Sequence, residues 1–372
     1  MAEDNTDAPA AAPALKDIFD ATRIRHIAKE TAAVHPGFDA RRFTKDCLHG
    51  LEAMSLMARM RHVAVCLHTS LPPGYRQALA VLRLLAPRLN HGFVTLVLSE
   101  YVALYGADDV KASLEALKFF TPFGSAEFAI RPFLQHDLHG TLKVMERWSH
   151  DADEHVRRLA SEGCRPRLPW AQRLPALVAD PAPALPILQN LRADPSPYVR
   201  KSVANHLNDI AKDHPALVME LLEAWPAEDD PHTRWIIRHA LRTLIKKGDR
   251  HALALVGAGH KAEVRLRDVV VAPAAVRLGD SITLSFTVES TAATAQRLVV
   301  DYAVHYVKKS GVASPKVFKL KTLELPAGAT QALSRRQLIK DFSTRTHHAG
   351  RHAVDVVVNG ECLGQAFFDL KQ

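Results

Sequence analysis

The sequence predicts a two-part molecule, a helical solenoid followed by a small β-sandwich, and three observations carry the prediction. From Asp17 to about Gly259 the apolar residues recur at helical spacing. After "GAGHK" (Gly257 to Lys261) the pattern changes to short alternating runs separated by turn signals. An arginine-bearing helix also recurs along the second half of the helical part, which makes it a stack of repeats.

Taken in chain order, residues 1–16 are expected to be disordered, because "MAEDNTDAPAAAPA" is small, polar or proline-rich. Residues 17–259 read as antiparallel helices. "FTKDCLHGLEAMSLMARMRHVAVCL" (Phe43 to Leu67) shows the helical spacing, and "LPPGY", "NHGF" and "TPFGS" punctuate the runs. The repeat appears in "DADEHVRRLASEG", "DPSPYVRKSVANHLNDI" and "DDPHTRWIIRHALRTL", each an acidic turn leading into a helix. Aligning Arg157, Arg200 and Arg234 gives spacings of 43 and 34 residues, the period of HEAT-like helix pairs. In such pairs an Asp caps the second helix and an Arg near its start reaches a neighbouring turn or repeat. These arginines are expected first to hold the stack, with phosphate contact as a second use of Arg200 and Arg234. Their neighbours Arg158, Lys201 and Arg238 are the better phosphate candidates.

Residues 260–372 carry the strands. "SITLSFTV", "LVVDYAVHYV", "KVFKLKTLEL" and "HAVDVVV" alternate, with "LGD", "PAGA" and "NGE" between them. Strands so spaced over this length predict a sandwich of immunoglobulin-like kind, in architecture only, since the Cys…Trp…Cys signature is missing. "VKKSG", with Lys308 and Lys309, reads as a hairpin loop and "RTHHAGRH" as a longer connection.

Composition narrows the function classes. The formal charge of +8 is concentrated late, with 32 Lys and Arg against 30 Asp and Glu in residues 1–260 and 16 against 10 in residues 261–372. A polyanionic partner suits this balance. No apolar run approaches the roughly 20 residues that span a bilayer, and no secretory signal pattern is present, so no membrane role and a cytoplasmic, nucleoid-associated place are expected. Cys47, Cys66, Cys164 and Cys362 lie far apart with no CxxC, so neither disulfides, a metal site nor a cofactor is expected.

The concave face of a solenoid is where a ligand would lie, and register says what lines it. Five residues beyond each repeat arginine stand Glu162, Asn205 and His239, all polar, and Asp209 follows Asn205 by one turn. Glu162 and Asp209 should therefore face a common space. Upstream, in "TPFGSAEFAIRPFLQHD", Ser125 reads as an N-cap with Glu127 in the first helical turn and Pro132 breaking the helix soon after. Glu127 is equally well explained by the helix dipole or by a site. The helix ending at "SEGCRPRLPW" (Ser161 to Trp170) stops abruptly at Gly163. Arg165 and Arg167 read either as phosphate contacts or as neutralisers of that helix end, and Trp170 either as an aromatic wall or as a core residue of the next repeat.

Taken as a set, "SAEFAIRPFL", "EGCRPRLPW", "YVRKSVANHLNDIAKDHP" and "WIIRHALRTLIKKGD" resemble the AlkC branch of the HEAT-like alkylpurine DNA glycosylases, over about Asp17 to Gly259. The strand-rich tail resembles the immunoglobulin-like domain of one AlkC subgroup. The resemblance implies monofunctional hydrolysis of the N-glycosidic bond of N3-alkylated bases, N3-methyladenine and N3-methylcytosine, in duplex DNA without full base flipping. It implies a monomer acting on alkylated double-stranded DNA. It places the family's active-site carboxylates on Glu127, Glu162 and Asp209 and its aromatic wall on Trp170. The chemistry suits those residue types. A cationic base needs no general acid, whereas positive charge moving onto the deoxyribose is stabilised by fixed carboxylates, one of which can orient the attacking water. Under the same reading Lys308, Lys309 and the other basic residues reach the DNA backbone. The alternative is a HEAT-repeat module that binds DNA or protein without chemistry.

Overall fold

The computed structural model describes residues 15–225, 230–342 and 346–371. It packs as two compact units, one up to Asp213 and one from His214 onward. The expected border at 259/260 lies at the change from helix to strand, whereas the packing border falls at 213/214, so the last helices before the strands belong to the second compact unit. Residues 1–14 of the segment expected to be disordered lie outside the described residues. Leu15 and Lys16, assigned to that segment, instead open a 3-10 turn whose Lys16 carbonyl accepts a bond from the buried Arg59.

The first unit is built from α1 (Ala21–Val34), α2 (Ala40–Leu48), α3 (Leu56–Ser70), α4 (Tyr75–Leu85), α5 (Gly92–Tyr105), α6 (Val110–Phe120), α7 (Arg131–His136), α8 (Leu138–Trp148), α9 (Glu154–Gly163), α10 (Pro175–Ala179), α11 (Leu185–Asn190) and α12 (Pro197–Ile210). Side-chain caps start many of them, as Asp20, Asp39, Ser55, Asp109, Asp137, Asp153 and Ser196 each accept a bond from a first-turn amide. α5 is almost wholly buried from Val94 to Val102, which makes it a central element of this unit.

Two of the three repeat arginines, Arg157 and Arg200, share one geometry. Arg157 Nη1 donates to the carbonyls of Asp151 and Ala152, both at 2.9 Å, and Arg200 Nη1 does the same to Asp194 and Pro195 at 2.8 and 2.7 Å. Arg157 also grips the carboxylate of Asp194 at 2.6 and 3.1 Å, so the turn at Asp194 ties its own helix to the previous repeat. Their first use is structural, and Arg200, a candidate phosphate contact, has its guanidinium on its own turn.

The second unit contains α13 (Pro215–Glu223), α14 (Pro231–Ala240), α15 (Arg242–Lys246), α16 (Arg250–Leu255) and strands β1 (Val264–Ala272), β2 (Ala275–Arg277), β3 (Ser281–Ser290), β4 (Gln296–Val307), β5 (Ala313–Leu325), β6 (Thr330–Leu338), β7 (Gly350–Val358) and β8 (Glu361–Lys371). Two sheets form, ordered β1-β3-β6 and β2-β8-β7-β4-β5. All neighbours are antiparallel except β2 with β8. Alternation sets the core: Ile282, Leu284, Phe286 and Val288 from one sheet meet Leu298, Val300, Tyr302, Val304, Val354, Val356 and Val358 from the other. β4 is buried on both faces from Leu298 to Val304, and α15 packs on β5 beside it.

Candidate active site

Two helices and one turn of the first unit bring the three carboxylates together. α9 and α12 pack side by side and bring Glu162 and Asp209 to neighbouring positions, as their register requires. Glu127 arrives differently. It opens a turn over residues 127–130, closed by Ile130 N–H on the Ala126 carbonyl at 3.0 Å, ahead of α7. The expected N-cap at Ser125 is therefore corrected: its hydroxyl accepts from Arg158 Nη1 at 2.8 Å. Pro132 likewise stands in the first turn of α7, where a missing amide hydrogen does no harm, so it begins the helix.

The carboxylates are interleaved with arginines. Arg158 binds Glu127 at 3.0 and 3.4 Å and approaches Glu162 at 3.6 Å. Glu162 accepts Arg165 Nη1 at 2.6 Å and the Ser202 hydroxyl at 2.7 Å. Arg165 continues to Asp209 at 2.8 and 2.9 Å, and Asp209 also holds Lys212 at 2.9 Å. No two of these three carboxylates meet without a cation between them, which offsets the cost of holding like charges close together. Burial works against the charged form of Arg158, but Glu127 and Glu162 outweigh it and raise its pKa. Arg158 also lies over the Tyr198 ring at 4.9 Å.

Beneath this chain lies a neutral layer. His206 Nδ1–H donates to the Ser161 carbonyl at 2.9 Å, and burial together with Arg165 pushes its pKa down to about 4. Burial pushes the Cys164 thiol up to about 12, so it is a packed thiol and not a nucleophile.

Arg131 holds the loop that follows α9. Its guanidinium donates to the carbonyls of Gly163 and Arg165, both at 3.0 Å, and to Gln172 at 2.8 Å, joining the two ends of the loop. Its burial lowers it to about 10, leaving it charged at neutral pH. Sequence reasoning missed this residue, although a lone cation inside the apolar run "FAIRPFL" signals a buried charge with fixed partners. Gly163 also has another reason than the one its sequence position suggests. It is the last helical residue, with no left-handed backbone, and a Cβ there would stand 2.6 Å from Ile130.

Trp170 is 68% exposed at φ +66°, so it is no core residue. It walls a cleft of ≈ 430 Å³ together with Phe93, Glu127, Phe128, Glu162 and Arg165. Asp209 does not line this cleft; it is 3% exposed and reaches it through Arg165.

The remaining expected residues separate. Arg165, a candidate phosphate contact or helix neutraliser, is buried between two carboxylates and serves as a strut. Arg167 is engaged in a two-pronged pair with Asp213 at 2.8 Å for both bonds. Asn205 is half-buried and Lys201 exposed on α12. In the second unit His239 stacks on Trp235 with ring centres 4.9 Å apart, Arg234 and Arg238 are exposed on α14, and Lys308 and Lys309 are exposed at the turn between β4 and β5.

A stack of HEAT-like helix pairs with a carboxylate-backed, tryptophan-walled cleft, followed by an immunoglobulin-like sandwich, defines the class of HEAT-like alkylation-repair proteins. The DNA alkylation repair enzyme family model matches residues 119–244, and the C-terminal Ig-like domain of the uncharacterised protein YhaZ matches residues 265–372. The chain is 41% identical over 348 residues to the uncharacterized protein YhaZ of Bacillus subtilis (strain 168), covering 93% of this chain and 96% of that one. It is also 58% identical to Pseudomonas fluorescens AlkC, an alkylpurine DNA glycosylase solved bound to DNA containing an abasic site analog. That match has a TM-score of 0.94 and covers 97% of this chain and 100% of the other. The chain belongs to the DNA alkylation repair enzyme family, in the branch with a YhaZ-type C-terminal Ig-like domain.

Proposed function

We propose that the protein is a monofunctional DNA glycosylase that hydrolyses the N-glycosidic bond of cationic N3-alkylated bases, N3-methyladenine and N3-methylcytosine, in duplex DNA. The observation that carries this reading is the alternating series Glu127, Arg158, Glu162, Arg165, Asp209, opening at the Trp170 cleft in a chain so similar to AlkC.

Glu127 and Glu162 face the cleft, where positive charge gathers on the deoxyribose as the bond to the base lengthens. Their negative charge stabilises that species, and Glu162, anchored by Ser202 and Arg165, is the group best held to orient a water. Asp209 acts through Arg165 as a positioning residue. Trp170 offers its face to the cationic base or the sugar, worth about 1 to 2 kcal/mol when desolvated. Because the arginines offset the carboxylates, the groove can hold negative groups without repelling phosphate. Lys212 is fixed on Asp209, so water and not an amine is the nucleophile. Lys201, Lys308 and Lys309, exposed and basic, are suited to the DNA backbone. A lesion exposed by bending the duplex fits a shallow cleft better than full extrusion into a pocket.

The test is to incubate the full-length protein with methylated duplex DNA and chromatograph the freed bases. N3-methyladenine and N3-methylcytosine should appear, with abasic strands left uncut. Tight binding with no base released would place the protein among non-catalytic DNA-binding modules.

A further inference from the structure

The second unit contains a cavity that the reading of the Trp170 cleft does not use. It lies between α14 and α15 on one side and β4 and β5 on the other, with a volume of ≈ 40 Å³. One water needs roughly 10–15 Å³ by this kind of measure. Arg238 from α14 and Arg242 and Lys246 from α15 reach the cavity at four-residue intervals. Arg297 and Asp301 come from β4, two residues either side of Val299.

Lys319 and Thr322 come from β5, and their presence together needs an irregularity. Three residues apart on a regular strand, they would point to opposite faces. The register instead shifts between Val300 and Asp301, whose partners are Lys321 and Lys319, so β5 carries one extra residue and both side chains turn to the cavity.

The charges do not balance. Leaving Arg242 aside, four cations, Arg238, Lys246, Arg297 and Lys319, each exposed on its outer side, line the cavity with Asp301, which is 4% exposed and is pushed up to about 6 by burial despite Lys246 and Lys319. Lys319 is lowered by burial and, against the pull of Asp301, by Arg238, Arg297 and Lys246. Among the described residues Arg238, Lys246, Arg297 and Lys319 form no ion pair, and Thr322 Oγ1 is buried without a hydrogen-bond partner.

We propose that this cavity is an oxyanion site taking one phosphate-class group, held by Arg238, Lys246, Arg297 and Lys319 with the Thr322 hydroxyl as a neutral donor. Such a group supplies the negative charge that Asp301 alone does not, and its several oxygens suit donors arriving from four elements. Free orthophosphate and a DNA phosphodiester share this chemistry, and the experiment separates them.

Thermal unfolding of the full chain is compared in phosphate and in chloride at equal ionic strength, for wild type and K246Q/K319Q. In chloride the variant should be at least as stable as wild type, because like charges have been removed. Phosphate should raise the wild-type Tm by roughly 2–4 °C more than that of the variant. D301N, which removes the opposing negative charge, should bind phosphate more tightly. R297Q, carried in parallel, gives the same readout should the double variant misfold. Duplex affinity is then measured against salt. If a phosphodiester fills the site, K246Q/K319Q weakens binding, lowers the salt slope by about one contact, and orthophosphate competes with duplex. If free phosphate fills it, duplex affinity is unchanged while the phosphate shift differs. An equal phosphate shift in both proteins, as general ion exclusion gives, together with unchanged duplex affinity, overturns the proposal.

Discussion

In the first unit Glu127, Glu162 and Asp209 alternate with Arg158 and Arg165, whereas in the second Arg238, Lys246, Arg297 and Lys319 gather around Asp301. The first cluster is buried, whereas in the second Asp301 alone is buried and Arg238, Lys246, Arg297 and Lys319 keep contact with solvent. The first answers its desolvation from within, since each carboxylate touches a cation of the same unit. The second leaves its surplus open, and the neutralising group has to come from outside. A site for chemistry on a cation needs its negative charges fixed before the substrate arrives, while a site for an anion is completed by its ligand.

That contrast gives opposite signs to similar substitutions. R165M would leave Glu162 and Asp209 buried and facing each other, and a loss of about 3–5 kcal/mol is expected in urea unfolding. K319Q, which deletes one of the cations lining the second cluster, should leave stability unchanged or higher in chloride. Equal losses in the two variants would erase the distinction between the clusters.

Protonation sharpens the same difference. His206 has its pKa depressed to about 4 in the folded state, so the unfolded chain binds more protons between about 6.5 and 4, and this group removes stability as pH falls through that window. The full effect is on the order of 3 kcal/mol. Asp301, raised to about 6, has the opposite sign: its contribution is present at low pH and is lost as pH rises through about 6. Unfolding measured from pH 7 to 4 should therefore lose less stability on acidification in H206Q and more in D301N. Parallel curves would show that neither group is linked to folding.

The smallest effect separates strain from function at Trp170. At φ +66° a glycine is at ease where a tryptophan is not, so W170G should keep or gain up to about 1 kcal/mol of stability. Release of N3-methyladenine should fall about tenfold through loss of the aromatic wall. A variant less stable than wild type and equally active would make Trp170 a packing residue.

Much of this was legible in the sequence. Register puts Glu162 and Asp209 on adjacent helices because equivalent helices in a repeat present equivalent residues, but of the two only Glu162 lines the cleft and Asp209 meets it through Arg165; the strand-rich half is marked by alternation. What periodicity could not reveal were the partners. That Arg165 lies between two carboxylates depends on a loop folding back over α9, and that loop is held by Arg131 from an earlier element. Glu127 was placed in the right region with the wrong local structure, because Ser125 caps nothing and binds a distant arginine instead. The cavity on β5 was invisible for a similar reason: a single bulge changes the face of every residue beyond it, and alternation alone does not locate bulges.

The decisive measurement is single-turnover release of N3-methyladenine from methylated duplex by E127Q and E162Q, alongside their affinity for the same duplex. Removing the negative charge while keeping the shape should slow release by about 100-fold or more, with duplex binding unchanged. Release at the wild-type rate by both variants would show that the carboxylates beside Trp170 do not carry the reaction.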